Sequence, residues 1–331
     1  MWEWVSSRPQ RCLKFGADSI GWAETERNWC GQRRHKCVMS PLSDGMIKPS
    51  PIEENVPDPS ALADRIRTLT GSGSVHQAVG GAILSDLPRR IGVLLPDTAV
   101  RATVLHLEQL PVRREERDAL IRWRLGQEQL FPLSGAKVLS QVFHNRSGGK
   151  GPAHTVLTVA AQESVLKQYE SLCESVGLIP QEVGITSLRI FDLWRRTSNG
   201  PHWRSRECLW ANVSDRALTT MIWQQGRLLF YRCKLLGAEA AETLTKTDML
   251  NKILEECCAS LEICQQQHPS AVVKEAVICA DGDMSVFQEL VEAELRLSVE
   301  QLSWESVEAL GHMAKGNHRG MTSLATMAGV L

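Results

Sequence analysis

The chain has 331 residues, enough for two domains with a sizeable core in each. Its 37 basic and 38 acidic side chains nearly cancel, and no basic stripe with interleaved aromatics is present, which argues against a nucleic-acid partner. The start MWEWVSSRPQR lacks a cationic segment leading into an apolar one. No later run reaches the roughly 20 apolar residues that span a bilayer, so a cytoplasmic protein without direct membrane insertion is expected.

Residues 11–39 read as three strands, RCLKFG, SIGWAETE and KCVMS, with a turn at 28–31, hence an antiparallel meander. The next stretch, PLSDGMIKPSPIEENVPDPS, holds too many prolines for regular structure. Ser60, with Asp58 before it, can cap a helix through Leu62, Ile66 and Leu69 that ends at Gly71-Ser72-Gly73. A buried strand at 91–95 stops at Pro96-Asp97, and 100–107 alternates as a half-buried strand does. From Arg113 the spacing is helical: Leu120, Trp123 and Gln127 follow one line, Ile121 and Leu125 the next, and the helix must end before Pro132. Residues 137–143 read as another strand. The stretch 98–148 is therefore predicted to be a small αβ module inserted into a larger fold.

Beyond it, 155–161 is a continuous apolar strand and 163–176 a helix with Gly177 at its C-cap. A short strand (180–185) and a helix (187–196) follow, and the polar TSNGPHWRSR at 197–206 is the best domain boundary. The meander then recurs in ECLWANV, ALTTMIWQQ and RLLFYRCKL, the last two joined by a Gln-Gly turn. Helix 247–267, strand 275–279, helix 283–294, strand 298–302 and helix 323–330 complete the chain. Two halves that each open with three strands and continue through helix and strand make an internal repeat of architecture. The domains are predicted at 10–200, carrying the insertion, and 206–331.

Candidate chemistry is sparse. The ten cysteines show no CxxC pair and include the neighbours Cys257 and Cys258, which points to reduced buried thiols. Cys257, Cys264 and His268 share one helix face, but without a fourth ligand they read as core rather than metal site. No Gly-x-Ser-x-Gly elbow, P-loop, HExxH or GxGxxG occurs. SGSVHQAVGG at 72–81 does not run from a strand into a helix and reads as flexible. Asp281 and Asp283 read as a solvated turn with Asp283 as N-cap. Ten tryptophans stand against two tyrosines, and Trp2, Trp4, Trp22, Trp29 and Trp203 do not sit on evident core faces, so an interface role is open to them.

Arg122-Trp123, Gln127 and Phe131-Pro132-Leu133 together resemble a segment of the PilM family of type IV pilus assembly proteins; Arg124, Gly126 and Glu128 depart from that family's pattern. SDGMIK, DPSALADRI and NVSDRALTTMIWQQGRLLFYR are similar to further stretches of the family. The resemblance implies an α/β protein of two-domain actin-like (ribonuclease H-like) fold. It would have duplicated mixed sheets with flanking helices, an inserted FtsA-like αβ subdomain and a reduced peripheral subdomain in the second half.

Proteins of that fold hold ATP and a divalent metal with three short loops. Here the first aligns on Lys14, Gly16 and Ser19, with lysine at the acidic position; lysine cannot hold Mg²⁺ as a carboxylate does. The second aligns on Asn212 and Ser214, losing both carboxylate and glycine. The third is Asp281-Gly282-Asp283, whose charges would repel a triphosphate. No cofactor is therefore expected, and ATP hydrolysis is not. What the family implies instead is a cytoplasmic scaffold, peripheral to the inner membrane through its partners. It would bind the N-terminal tail of a PilN-like inner-membrane protein, other pilus or secretion platform proteins and, as an open question, further copies of itself. Arg101, Arg122, Trp123 and Phe131 are the candidate partner-binding residues. Two alternatives stay open: an active actin-like ATPase that binds Mg-ATP, and a GspL-like cytoplasmic component of type II secretion.

Overall fold

A computed structural model describes residues 9–27, 33–71, 89–127, 131–144, 154–197, 200–236, 246–280, 285–308, 313–315 and 321–331. Strands β1 (Arg11–Phe15), β2 (Ser19–Arg27) and β3 (Arg33–Pro41) precede helix α1 (Pro59–Thr70) and β4 (Arg89–Leu95). A single 3₁₀ turn (Asp97–Ala99) leads into β5 (Arg101–Leu107), α2 (Arg114–Gln127), β6 (Ala136–His144) and β7 (His154–Gln162). Next come α3 (Glu163–Ser175), β8 (Leu178–Ile185), α4 (Thr186–Thr197), and the second meander β9 (Glu207–Ser214), β10 (Ala217–Gln224) and β11 (Arg227–Leu235). The chain ends through α5 (Lys246–Gln267), β12 (Glu275–Cys279), α6 (Ser285–Leu295), β13 (Ser298–Gln301), α7 (Trp304–Glu308), β14 (Met313–Lys315) and α8 (Met321–Met327).

Local chemistry sets several of these ends. Asp58, not Ser60, caps α1: its carboxylate accepts the Ala61 amide at 2.9 Å, and Pro59 fills the first turn, where its missing N–H costs nothing. Gly71 closes the helix at φ 68, with its amide on the Arg67 carbonyl, a left-handed cap that suits glycine. Gly177 does the same after α3 at φ 75.

The chain divides into two compact units, residues 1–96, 164–197 and 304–331 in one and 97–163 with 198–303 in the other. The first is built on a six-stranded sheet of order β14-β3-β2-β1-β4-β8. Its core includes Leu13, Phe15, Ile20, Trp22, Ile91, Leu94 and Trp194. Trp22 is thus a core residue on β2, not a candidate interface tryptophan. Helix α8 lies against β1 and β2. Two glycines allow that approach: a Cβ on Gly21 would overlap Thr326, and one on Gly329 would overlap the Cys12 thiol. Here the domain reading of 206–331 needs correction, since β14 pairs in parallel with β3 and α8 completes the first sheet's packing. Nothing local in residues 304–331 encodes that long-range return.

The second unit contains a five-stranded sheet of order β11-β10-β9-β12-β13, which repeats the order β3-β2-β1-β4-β8 of the first. Helix α5 covers it through Leu250, Ile253, Leu254, Cys257 and Cys264. The same unit holds a three-stranded antiparallel sheet, β5-β7-β6. This is the inserted module, and β7 is its middle strand. The expected span of 98–148 is therefore short by a strand. Buried along most of its length, β7 gives a continuous apolar run with no alternation to reveal its sheet. Ile121 and Leu125 of α2 pack on Leu105, Leu107 and Val156 of this sheet. No helix among the described residues is long and apolar enough to cross a membrane.

Candidate functional site

The first aligned loop joins β1 to β2, with Phe15 paired to Ile20 and the turn made by the residues between. Lys14 sits one residue before the end of β1, opposite Gly21 on one side and Leu94 on the other, and is fully buried. It belongs to the sheet layer and is not displayed at the turn. Gly16 is absent from the positive-φ glycines, and Ser19 opens β2 opposite Pro41.

In the second unit, the equivalent turn joins β9 to β10 through Asp215 and Arg216 alone, since Ser214 pairs with Ala217. Both turn residues are left-handed, at φ 53 and 58, the two-residue hairpin geometry that glycine and asparagine favour. Asn212 is buried on β9, and its amide nitrogen donates to the Ser214 hydroxyl at 2.9 Å. Gly282, with Asp281 and Asp283, lies outside the described residues, as do Trp2, Trp4 and Trp29.

The module's candidate residues separate into different environments. Trp123 is 56% exposed on the outer face of α2, and Arg122 beside it is exposed as well. The line that faces the sheet is that of Ile121 and Leu125. Arg122 donates from Nη2 to the Ala136 carbonyl of β6 at 3.4 Å. Phe131 is buried, so its ring serves packing. Arg101 stands exposed at the start of β5, the opposite edge strand from β6. Arg122 and Trp123 are thus neighbours, while Arg101 lies across the sheet.

The other face of the module packs within its unit against the second-half sheet. Phe143 meets Trp223 edge-on at 5.6 Å, Trp223 meets Trp203 at the same distance, and Arg227 donates to the Thr155 hydroxyl at 3.3 Å. Tyr231 donates to Asp97 Oδ1 at 2.9 Å in a buried setting; burial and the Asp97 charge hold its phenol well above the usual range. His106 and His268 also meet across this seam. Cys257 and Cys264, the two cysteines on the helix face that leads to His268, belong to the core, and burial pushes Cys257 up to about 12 and Cys264 up to about 11. Among the described residues, no group of three or more His, Cys, Asp or Glu could hold a metal ion.

A sheet order repeated in two halves, each opening with an antiparallel meander, defines the two-domain actin-like α/β fold. No family model matches the chain, and no curated relative does. Among solved structures it is similar to the PilM–PilN type IV pilus biogenesis complex, with TM-score 0.70 and 15% identity over 98% of this chain and 100% of that one. Geometric agreement is lower with a Bacteroides thetaiotaomicron protein of actin-like ATPase fold and unknown function (TM-score 0.45, 12% identity, 94% and 98% covered). It is also lower with the cytoplasmic domain of EpsL, an inner membrane component of the Vibrio cholerae type II secretion system (TM-score 0.44, 10% identity, 96% and 93% covered). The chain shares the actin-like fold of that PilM structure.

Proposed function

We propose that this chain is a PilM-like scaffold of a type IV pilus or related secretion machine. It binds the N-terminal tail of a PilN-like inner-membrane protein, sits peripheral to the inner membrane through that contact, and does not hydrolyse ATP. The observation that carries the reading is the agreement in fold with PilM over 98% of the chain. Exposed Arg122 and Trp123 on the inserted module support a binding role, because arginine and tryptophan are the side chains that most often anchor protein interfaces. The substituted hairpin at Asp215 and Arg216 supports a non-enzymatic one.

The test is a calorimetric titration of the full chain with a synthetic tail of the partner, against a scrambled tail of equal charge. Binding by the native tail alone at micromolar concentration is the expected result. Equal behaviour of the two peptides overturns the proposal.

A further inference from the structure

Among the described residues three sheets have six edges, and an uncovered edge is a row of unpaired amides and carbonyls that invites another chain. Five of the six are blunted. Strands β14 and β13 have three and four residues. Strand β8 carries Pro180 and a register irregularity against β4. Strands β5 and β11 lie beside each other within the second unit.

The sixth, β6, has none of these devices. It runs nine residues, AKVLSQVFH, in unbroken register with β7, contains no proline or bulge, and carries one permanent charge, Lys137. Among the described residues no strand pairs with its outer side. Leu139 is 49% exposed and Ser140 is exposed.

The hydrogen bonds tell which groups point outward. The Glu163 amide donates to the Gly135 carbonyl at 2.9 Å, which makes Ala136 and Gln162 a non-hydrogen-bonded pair. Accordingly the Ala136 amide turns to Leu133, and its carbonyl accepts from Arg122. By alternation, Val138, Ser140 and Val142 present both backbone groups to the free edge.

From this we infer that the β6 edge is a docking strand for an extended segment of another protein, which adds antiparallel as a fourth strand. Arg122 and Lys137 lie at the start of β6, where the C-terminal side of an antiparallel segment falls. The segment that fits alternates apolar and polar residues, sets an apolar one against Leu139, and ends with an acidic residue near those two cations. This deepens the scaffold reading and, for the identity of the natural partner, rests on it.

The test uses the full chain and two probes, the synthetic partner tail and a display library of random short peptides. Selection is on the natural chain alone, and the selected peptides are then measured against the natural chain and Ser140→Pro. Proline there deletes an outward amide and no bond to β7, so the sheet stays intact; unchanged thermal unfolding checks this, and Ser140→Ala is the control. Library peptides are expected to alternate apolar residues, to carry Asp or Glu near their C-terminal end, and to bind Ser140→Pro about tenfold more weakly, the scale of one or two lost hydrogen bonds. Lys137→Glu should weaken them as well. Peptides indifferent to Ser140→Pro overturn the inference. A tail that binds both chains alike overturns the β6 assignment and leaves the scaffold reading intact. If library peptides discriminate and the tail does not bind, the docking strand stands and the scaffold reading fails. A dimer of the natural chain that Ser140→Pro dissolves makes a second copy the occupant and also overturns the inference.

Discussion

His106 on β5 and His268, the residue after α5, meet Nε2 to Nε2 at 2.9 Å with their rings 71° apart, so one imidazole donates and the other accepts. Only neutral rings can share that bond without placing two cations together beside Arg227. Burial first, then His268 and Arg227, push His106 from 6.5 down to about 4; burial, then Arg227, lowers His268 too. Both imidazoles titrate lower in the folded chain than in the unfolded one. Stability is therefore complete above about 6.5 and falls with acid toward about 4, where the unfolded chain binds more protons. Urea midpoints across that window should drop for the natural chain and drop less for the double variant His106→Gln, His268→Gln. Parallel profiles would show that the pair adds nothing.

Gly21 has its own consequence. A methyl group there would overlap Thr326 Oγ1 and lie 2.7 Å from Met39 Sδ, so α8 would have to lift from β2. Gly21→Ala should cost about 1–3 kcal/mol, as overpacked cores do. Adding Thr326→Ser, which deletes the Cγ2 that a new methyl would meet at 2.8 Å, should recover part of the loss. Chemical denaturation of the single and double variants measures both.

Gly21 also marks what a sequence can and cannot convey. Caps and periods were legible because they are local: Gly71 and Gly177 end their helices, the Gln225-Gly226 turn is left-handed at both positions, and two meanders announce two sheets. The reason for Gly21 was not legible, because it lies more than 300 residues away in α8. The same holds for β7, buried too evenly to name its sheet. On α2, two lines of side chains competed for the core, and only the packing of Ile121 and Leu125 leaves Trp123 outside. The open edge of β6 follows from strand order, which no local pattern encodes.

Tyr231 and Asp97 tie the chain entering the module to β11 within the second unit. Tyr231→Phe removes one donor from a buried carboxylate and leaves the ring's packing in place. The expected loss is about 1–3 kcal/mol of stability, the range for an unsatisfied buried group. Equilibrium unfolding that registers no difference would mean that other partners of Asp97 carry its charge.

Arg216 sits in the β9–β10 turn at φ 58, where an L side chain other than asparagine or aspartate is disfavoured by roughly 1–2 kcal/mol. Glycine fits that conformation freely, though it loosens the unfolded chain. Arg216→Gly should therefore raise the melting temperature slightly. A lower melting temperature would reveal that the arginine side chain contributes more than its backbone costs.

Nucleotide binding can be tested directly, because a ligand that prefers the folded state stabilises it by mass action: at a hundredfold excess over Kd the gain is about 2.7 kcal/mol, several degrees of melting temperature. Mg-ATP should give no such shift here. Lys14 is buried in the sheet, Asn212 is committed to the Ser214 hydroxyl, and Asp215 places a negative charge in the turn that would have to cradle phosphate. Restoring the acidic and glycine positions with Asn212→Asp and Ser214→Gly should not create binding either, since the two side chains of the turn remain. A shift with the natural chain that EDTA abolishes would instead mean that backbone groups alone suffice, and the active-ATPase alternative would replace the scaffold as the reading of this fold.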